Sequence, residues 1–284
     1  ATFKARGLAA AISRAKELGL RRITIPSAGN AASATAAYCA AGGLEAHVFM
    51  PRDAPEANKQ ECLACGAQVT LVDGHIGDAG RLSRQRAAAE GLFDVSTLQE
   101  PYRVEGKKTM GIEIVEDLGW RFPDVIVYPT GGGTGIIGMW KVFHELLELG
   151  WVEGRPPRMV AVQPTGCQPI VKALREGSES AEPWPNAVTV AHGLRVPGPF
   201  ADYLILQAVR ESGGTALAVE DAEMVAAMRE VAAAEGVLPC PEGAATWVGL
   251  KRLVQGGQVA PDETVVLLNT GSGLKYLELL RGEP

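Results

Sequence analysis

The sequence has 284 residues, 46% of them hydrophobic, and a formal net charge of −6 at neutral pH. That length and apolar content suit one large domain or two smaller ones, and the acid excess leaves no basic footprint for nucleic acid. No apolar run reaches the roughly 20 residues needed to span a bilayer, and residues 1–30 carry charges through their apolar stretches, unlike a secretory leader.

The predicted elements alternate along the chain. Residues 7–18 (GLAAAISRAKEL) read as a helix stopped by Gly19, and RRITIP follows as a strand. Residues 30–41 are Ala-rich and helical. EAHVFMP is a strand, 55–65 a helix, AQVTLVD a strand, 77–90 a helix and LFDVS a short strand. A helix over 106–118 leads to the apolar strand DVIVYP; a helix over 135–149 leads to the strand RMVAVQP. Helices near 168–176, 221–235 and 243–255 and a last strand, ETVVLLN, complete the series. Short apolar strands alternating with helices predict an α/β fold with largely parallel sheets covered on both faces. The chain divides into residues 1–100 and 101–284. The Pro- and Gly-rich stretch 177–200 reads as a surface loop or lid.

Five scattered cysteines, Cys39, Cys62, Cys65, Cys167 and Cys240, read as reduced thiols in a cytoplasm. Cys62 and Cys65 form a single CxxC pair with no second ligand cluster, so no metal site is expected. His47, His75, His144 and His192 likewise lack metal-ligand spacing.

In parallel sheets ligands bind beyond the carboxyl ends of the strands, and three strand ends here carry small polar turns. Ser27-Ala28-Gly29-Asn30 follows RRITIP, Thr130-Gly131-Gly132-Gly133-Thr134-Gly135 follows DVIVYP, and Thr270-Gly271-Ser272-Gly273 follows ETVVLLN. Four glycines in five residues at a helix start let backbone N–H groups converge on an anion, aided by the helix dipole. No Lys-Ser/Thr follows, which excludes a P-loop, and the spacing is not that of a dinucleotide fingerprint. A phosphate monoester fits; a glycine turn selected for packing is the alternative. The first turn suits a carboxylate, or is an ordinary N-cap. The third offers the Thr270 and Ser272 hydroxyls. With Lys4, these are the parts that hold pyridoxal 5′-phosphate: an amine, a phosphate cradle, an amide for a ring oxygen and a hydroxyl for a ring nitrogen.

ATFKARG, SAGNAASA, EPYRVEGKKTMGIEI, PTGGGTGIIG, PEGAAT and NTGSGLK follow in this order along the whole chain. In them the sequence resembles the fold-type II pyridoxal-phosphate enzymes, the tryptophan synthase beta-like superfamily, and within it the threonine synthase family. The resemblance implies a two-domain α/β fold, a homodimer, and a segment ahead of Lys4 that this sequence does not contain. It implies conversion of O-phosphohomoserine and water to threonine and phosphate. By resemblance Lys4 forms the Schiff base and moves protons. Asn30 meets the cofactor's ring oxygen, and Gly131, Gly132, Gly133, Thr134 and Gly135 hold its phosphate. Thr270, or Ser272, meets the ring nitrogen. Ser27, Ala28, Asn30 and Ala31 bind the substrate carboxylate, and Arg103 binds the substrate phosphate. The sequence departs from the family at Thr97 and Leu98, where polar donors are expected, and Glu100 adds a negative charge nearby. A serine or threonine dehydratase, which needs no second phosphate site, is the alternative activity, and a catalytically silent relative a further one. Glu242 opens the PEGAAT helix, a position the dipole favours for a carboxylate.

Overall fold

The computed structural model describes residues 2–281. It falls into two compact units, Ala1–Lys107 and Lys108–Pro284. In chain order the first holds α1 (Lys4–Glu17), β1 (Arg22–Pro26), α2 (Asn30–Gly42), β2 (Glu45–Pro51), α3 (Glu56–Ala64), β3 (Gln68–Val72), α4 (Ile76–Glu90) and β4 (Phe93–Asp94). The boundary falls within α5 (Tyr102–Asp117). The second unit continues with β5 (Val125–Pro129), α6 (Thr134–Glu148), β6 (Arg158–Pro164), α7 (Pro169–Arg175), α8 (Asp202–Glu211), β7 (Thr215–Val219), α9 (Asp221–Glu235), α10 (Pro241–Gln255) and β8 (Val265–Leu267). Each unit is built on a four-stranded parallel sheet, ordered β3-β2-β1-β4 in the first and β7-β6-β5-β8 in the second.

The central strands are the ones the sequence announces. β5 is buried at all five positions and β6 at six of seven, as expected of strands that read as continuous apolar runs. The first unit's core joins Leu8, Ile12 and Ala15 of α1 to Ile23, Ile25, Val48 and Met50 of the sheet through the small residues of α2. α2 is buried on most of its surface, so it has no amphipathic stripe; its alanines supply helix propensity instead. In the second unit Val125, Val127, Val160 and Val162 pack with Met224 and Met228 of α9 and Ala244, Ala245 and Val248 of α10.

The structure differs from the sequence reading in several places, α5 among them, which begins at Tyr102 rather than at 106. α1 begins at Lys4, three residues early, because Gly7 sits inside the helix rather than ahead of it. A Cβ on Gly7 would lie 2.7 Å from the Arg103 carbonyl oxygen, and one on Gly106 would lie 2.8 Å from the Gly7 Cα. The two glycines let α1 and α5 cross with their backbones almost touching. The segment 202–219, left without elements above, forms α8 and the edge strand β7, whose positions are half-buried until Val219. The stretch 177–200 is irregular apart from one short turn at His192–Leu194, but its second half is not a free lid. Thr189, Ala191 and Leu194 are buried, and Asp221 holds Thr189 Oγ1 and the Val190 N–H at 2.6 and 2.9 Å.

Candidate active site

In the first unit, α1 starts with Phe3 as its N-cap and no side-chain cap, which puts half-buried Lys4 in the opening turn. The Lys4 Nζ lies 4.6 Å from the centre of the Phe3 ring. A second amine, overlooked in the sequence, shares that ring: Lys107 Nζ is 4.2 Å from its centre and donates to the Phe3 carbonyl oxygen. Lys107 is wholly buried. Burial first, then the charges of Lys4, Arg103 and Arg6, push its pKa down to about 5. It is therefore a neutral amine near neutral pH.

The turn after β1 leads into α2. Ser27 N–H donates to Phe49 O in β2, and Gly29 N–H donates to Ser27 Oγ at 3.3 Å. Neither α2 nor α6 has a side-chain cap or an acid in its first turn. α4 and α9, by contrast, carry Asp78 and Glu223, which accept the N-cap N–H of His75 and Glu220 at 3.0 and 2.8 Å. The uncapped amides leave a positive helix end for an external anion. Asn30 points the same way, since its Oδ1 is buried without a partner. Its amide ends are interchangeable by a flip. Asn58 of α3, also missed, is buried against this turn with an unpartnered Oδ1, and its Nδ2 stands 3.3 Å from where a Cβ on Gly29 would be. Half-buried Ala28 and buried Ala31 frame the turn.

Arg103, on α5, is buried. Its Nη1 donates to Val95 O at 2.8 Å while its Nε has no partner. Desolvation pulls its pKa below the ordinary guanidinium range. Glu100 accepts the Arg103 backbone N–H at 3.0 Å. Burial raises its carboxyl toward the neutral form and its Oε1 is unpartnered. The departure at Leu98 also shows in the backbone, with φ at +61° in the left-handed region where asparagine and glycine are at ease.

In the second unit, β5 ends at Pro129 and Thr130 turns into the glycine run. Gln163 of β6 anchors that turn: its Nε2 donates to Thr130 O at 3.1 Å and its Oε1 caps α7 through the Ile170 and Val171 N–H groups. Gly133 has φ +77° and is the N-cap of α6; a Cβ there would stand 2.2 Å from Ile205. A Cβ on Gly131 would lie 2.4 Å from the Gly193 carbonyl oxygen. Packing thus requires glycine on the loop's protein side. Gly132 is half-exposed, Thr134 is buried, and the Gly135 N–H is turned onto the Tyr128 hydroxyl. The third turn separates its two hydroxyls. Ser272 Oγ accepts the Leu274 N–H at 3.2 Å and so is committed locally, whereas buried Thr270 has only a long contact, 3.8 Å, to Cys240 Sγ. Among the described residues, no group of three or more His, Cys, Asp or Glu is placed to hold a metal ion, and no helix is long and apolar enough to cross a membrane.

In the first unit the uncapped start of α2 and the orphaned buried Asn30 oxygen fit a ligand with an anionic group, and in the second unit the uncapped, glycine-lined start of α6 fits an anion. The fold is that of the fold-type II pyridoxal-phosphate enzymes. It superposes on threonine deaminase isoform 2 from Solanum lycopersicum with a TM-score of 0.82 at 21% identity, covering 99% of this chain and 80% of that one. It superposes on maize serine racemase with a TM-score of 0.78 at 22% identity, covering 99% and 83%. At such identities the fold alone is shared. A model of the pyridoxal-phosphate dependent enzyme family matches residues 1–271, and the chain belongs to that family. It is 38% identical to the threonine synthase of Methanosarcina acetivorans over 275 residues, which are 96% of this chain and 67% of that protein. It is 34% identical to those of Methanocaldococcus jannaschii and Mycobacterium tuberculosis over 96% of this chain, covering 67% and 74% of theirs. The family's cofactor is pyridoxal phosphate.

Proposed function

We propose that the chain is a threonine synthase, converting O-phosphohomoserine and water to threonine and phosphate. The relatives of that name, at 34–38% identity over 96% of the chain, support this reading. The structural observation that carries it is Arg103. A buried guanidinium with an unpartnered Nε is costly unless an anion meets it, and a phosphate-bearing substrate supplies one. Glu100 and Asp94 already act on that arginine, but neither meets its Nε, and a dehydratase acting on serine or threonine brings no substrate phosphate to it.

Each residue then has a defined role. Lys4 would hold the cofactor's aldehyde carbon and would carry protons at the substrate's α, β and γ carbons, the γ carbon taking one as phosphate leaves. The bound cofactor supplies an electron sink that stabilises negative charge at the substrate α carbon. Asn30 donates its amide to the ring oxygen. Ser27, Ala28 and the first-turn amides of α2 at Asn30 and Ala31 bind the carboxylate. The run Gly131–Gly135 and the α6 start hold the cofactor's phosphate, with the Gly135 amide serving the fold through Tyr128. Thr270, rather than Ser272, meets the ring nitrogen. Arg103 grips the substrate phosphate through a charge-assisted contact and steadies it as it leaves.

Free cysteines among the described residues support a reducing compartment, the cytoplasm, and the reading carries a homodimer with it, which light scattering measures. Separate incubations with O-phosphohomoserine, serine and threonine test the function. Phosphate release from the first, without 2-oxo acid from the other two, is expected; 2-oxo acid from serine or threonine with no phosphate release would establish the dehydratase.

A further inference from the structure

In the second unit the Glu242 carboxylate has no task in the roles above, yet it is only 5% exposed. It sits in the first turn of α10, where the helix dipole favours a negative charge. Its Oε1 accepts two donors, the Tyr276 O–H at 2.6 Å and the Gly193 N–H at 2.8 Å. Tyr276 reaches it because the segment Leu238–Cys240 pairs with Gly271–Gly273: Cys240 N–H donates to Gly271 O, and Gly273 N–H donates to Leu238 O, both at 3.0 Å. The close approach of residue 193 requires its glycine, since a Cβ there would lie 2.8 Å from Glu242 Oε1.

The same residue 193 backs the glycine run. Its carbonyl oxygen is the atom 2.4 Å from where a Cβ on Gly131 would stand, and Val196 Cγ2 and Leu194 Cα follow at 3.2 and 3.4 Å. The short turn His192–Leu194 is therefore the wall behind Gly131. That wall belongs to an irregular strap fastened at two points by carboxylates in the first turns of helices. Asp221 of α9 takes Thr189 Oγ1 and the Val190 N–H, and Glu242 of α10 takes the Gly193 N–H nearest the loop. Burying a carboxylate is costly, and an apolar side chain would fill the space more cheaply. Only an acceptor fixes the strap by its backbone.

We infer that Glu242 is a positioning residue for the phosphate cradle: by holding the Gly193 N–H it keeps the 192–194 turn pressed against Gly131 and so sets the loop for a phosphate group. Charge and geometry predict opposite results here. The negative charge of Glu242 repels a phosphate, so a carboxylate acting by its field alone would weaken the site, and removing it would tighten binding. A positioning carboxylate strengthens the site, and removing it loosens binding. The inference rests on the reading that Gly131–Gly135 holds the cofactor's phosphate.

The test compares the Kd of the whole chain for pyridoxal phosphate with that for pyridoxal, which lacks the phosphate; the 31P resonance of the bound cofactor is a second readout, and neither depends on activity. Glu242→Ala is expected to raise the Kd for pyridoxal phosphate by roughly tenfold, to leave that for pyridoxal unchanged, and to move the 31P resonance toward the free cofactor's. Glu242→Gln keeps an acceptor oxygen for the Gly193 N–H and is expected to stay close to wild type. Tighter binding of pyridoxal phosphate by Glu242→Ala, an equal loss for both ligands, no change for either, or a Glu242→Gln as weak as Glu242→Ala overturns the inference. Where Glu242→Ala does not fold, Tyr276→Phe decides. It keeps the ring but removes one of the carboxylate's two donors, so a smaller loss confined to pyridoxal phosphate is expected, and an unmoved preference overturns the role. Gly132→Asp, which puts a like charge into the run, separates the two levels. If it weakens pyridoxal phosphate alone while Glu242→Ala moves neither ligand, the cradle stands and only the role of Glu242 is wrong. If it leaves both affinities unchanged, the cradle reading fails and the inference with it.

Discussion

Replacing Lys107 with methionine should stabilise the protein, and by an amount that depends on pH. In the unfolded chain this lysine titrates at its ordinary 10.5; in the folded protein burial holds it at about 5. At pH 7 folding must therefore strip a proton from it, at roughly 1.4 kcal/mol per pH unit over 3.5 units, or about 5 kcal/mol. Methionine has similar length, needs no proton removed, and loses only the bond to the Phe3 carbonyl, worth about 1 kcal/mol. With some relaxation around the buried amine, Lys107→Met should gain about 2–4 kcal/mol at pH 7. The sign in pH is fixed. Between the two pKa values the unfolded chain binds the extra proton, so raising pH stabilises wild type relative to the variant. The gap should shrink by about 1.4 kcal/mol for each unit from pH 7 toward 10. Urea unfolding of both proteins at pH 6, 7, 8 and 9 measures it. Parallel stability curves, or a variant less stable than wild type at pH 7, would refute a buried neutral Lys107.

The remaining predictions concern the site and its departures. Leu98→Asn should raise stability by roughly 1 kcal/mol, because a left-handed conformation costs an ordinary side chain about 1–2 kcal/mol and asparagine less; an unchanged or lower melting temperature counts against strain at this position. Arg103→Ala should lower kcat/KM for O-phosphohomoserine by roughly 10–150-fold, the equivalent of about 1.5–3 kcal/mol for a lost charged contact, with the cofactor's absorbance unchanged. Full activity in that variant removes Arg103 from the phosphate site. Lys4→Ala should end borohydride-dependent attachment of the cofactor to the chain, and peptide mapping should find no label on Lys107, which is enclosed at the α1–α5 crossing. Label that persists at another lysine would show that Lys4 is not the reactive amine.

Much of this site was legible because it lies at strand ends. β5 is an unbroken apolar run and the interior of β6 is apolar up to Gln163, and the glycine loop reads as a turn into a helix. What stayed hidden depends on tertiary crossing. In EGKKT both lysines look like solvated helix residues; only the glycine pair Gly7 and Gly106 brings α1 down onto α5 and buries Lys107. The same Gly7 made α1 look as if it began three residues late. β7, TALAV, is an edge strand of small residues with half-buried faces, so it lacks the bulk that marks a strand. Tyr276 lies 34 residues from Glu242 and meets it only because 238–240 pairs with 271–273. The local bond from Leu274 N–H to Ser272 Oγ, which favours Thr270 over Ser272 in the proposed role, is likewise something spacing cannot reveal.

The central claim is that phosphate departs with its own bridging oxygen and water adds at the β carbon. Running the reaction on O-phosphohomoserine in 18O-water tests this most directly. Mass spectrometry should find one 18O in the threonine hydroxyl and none in the released phosphate. Phosphate carrying 18O alongside unlabelled homoserine would mean simple ester hydrolysis, and would contradict the account.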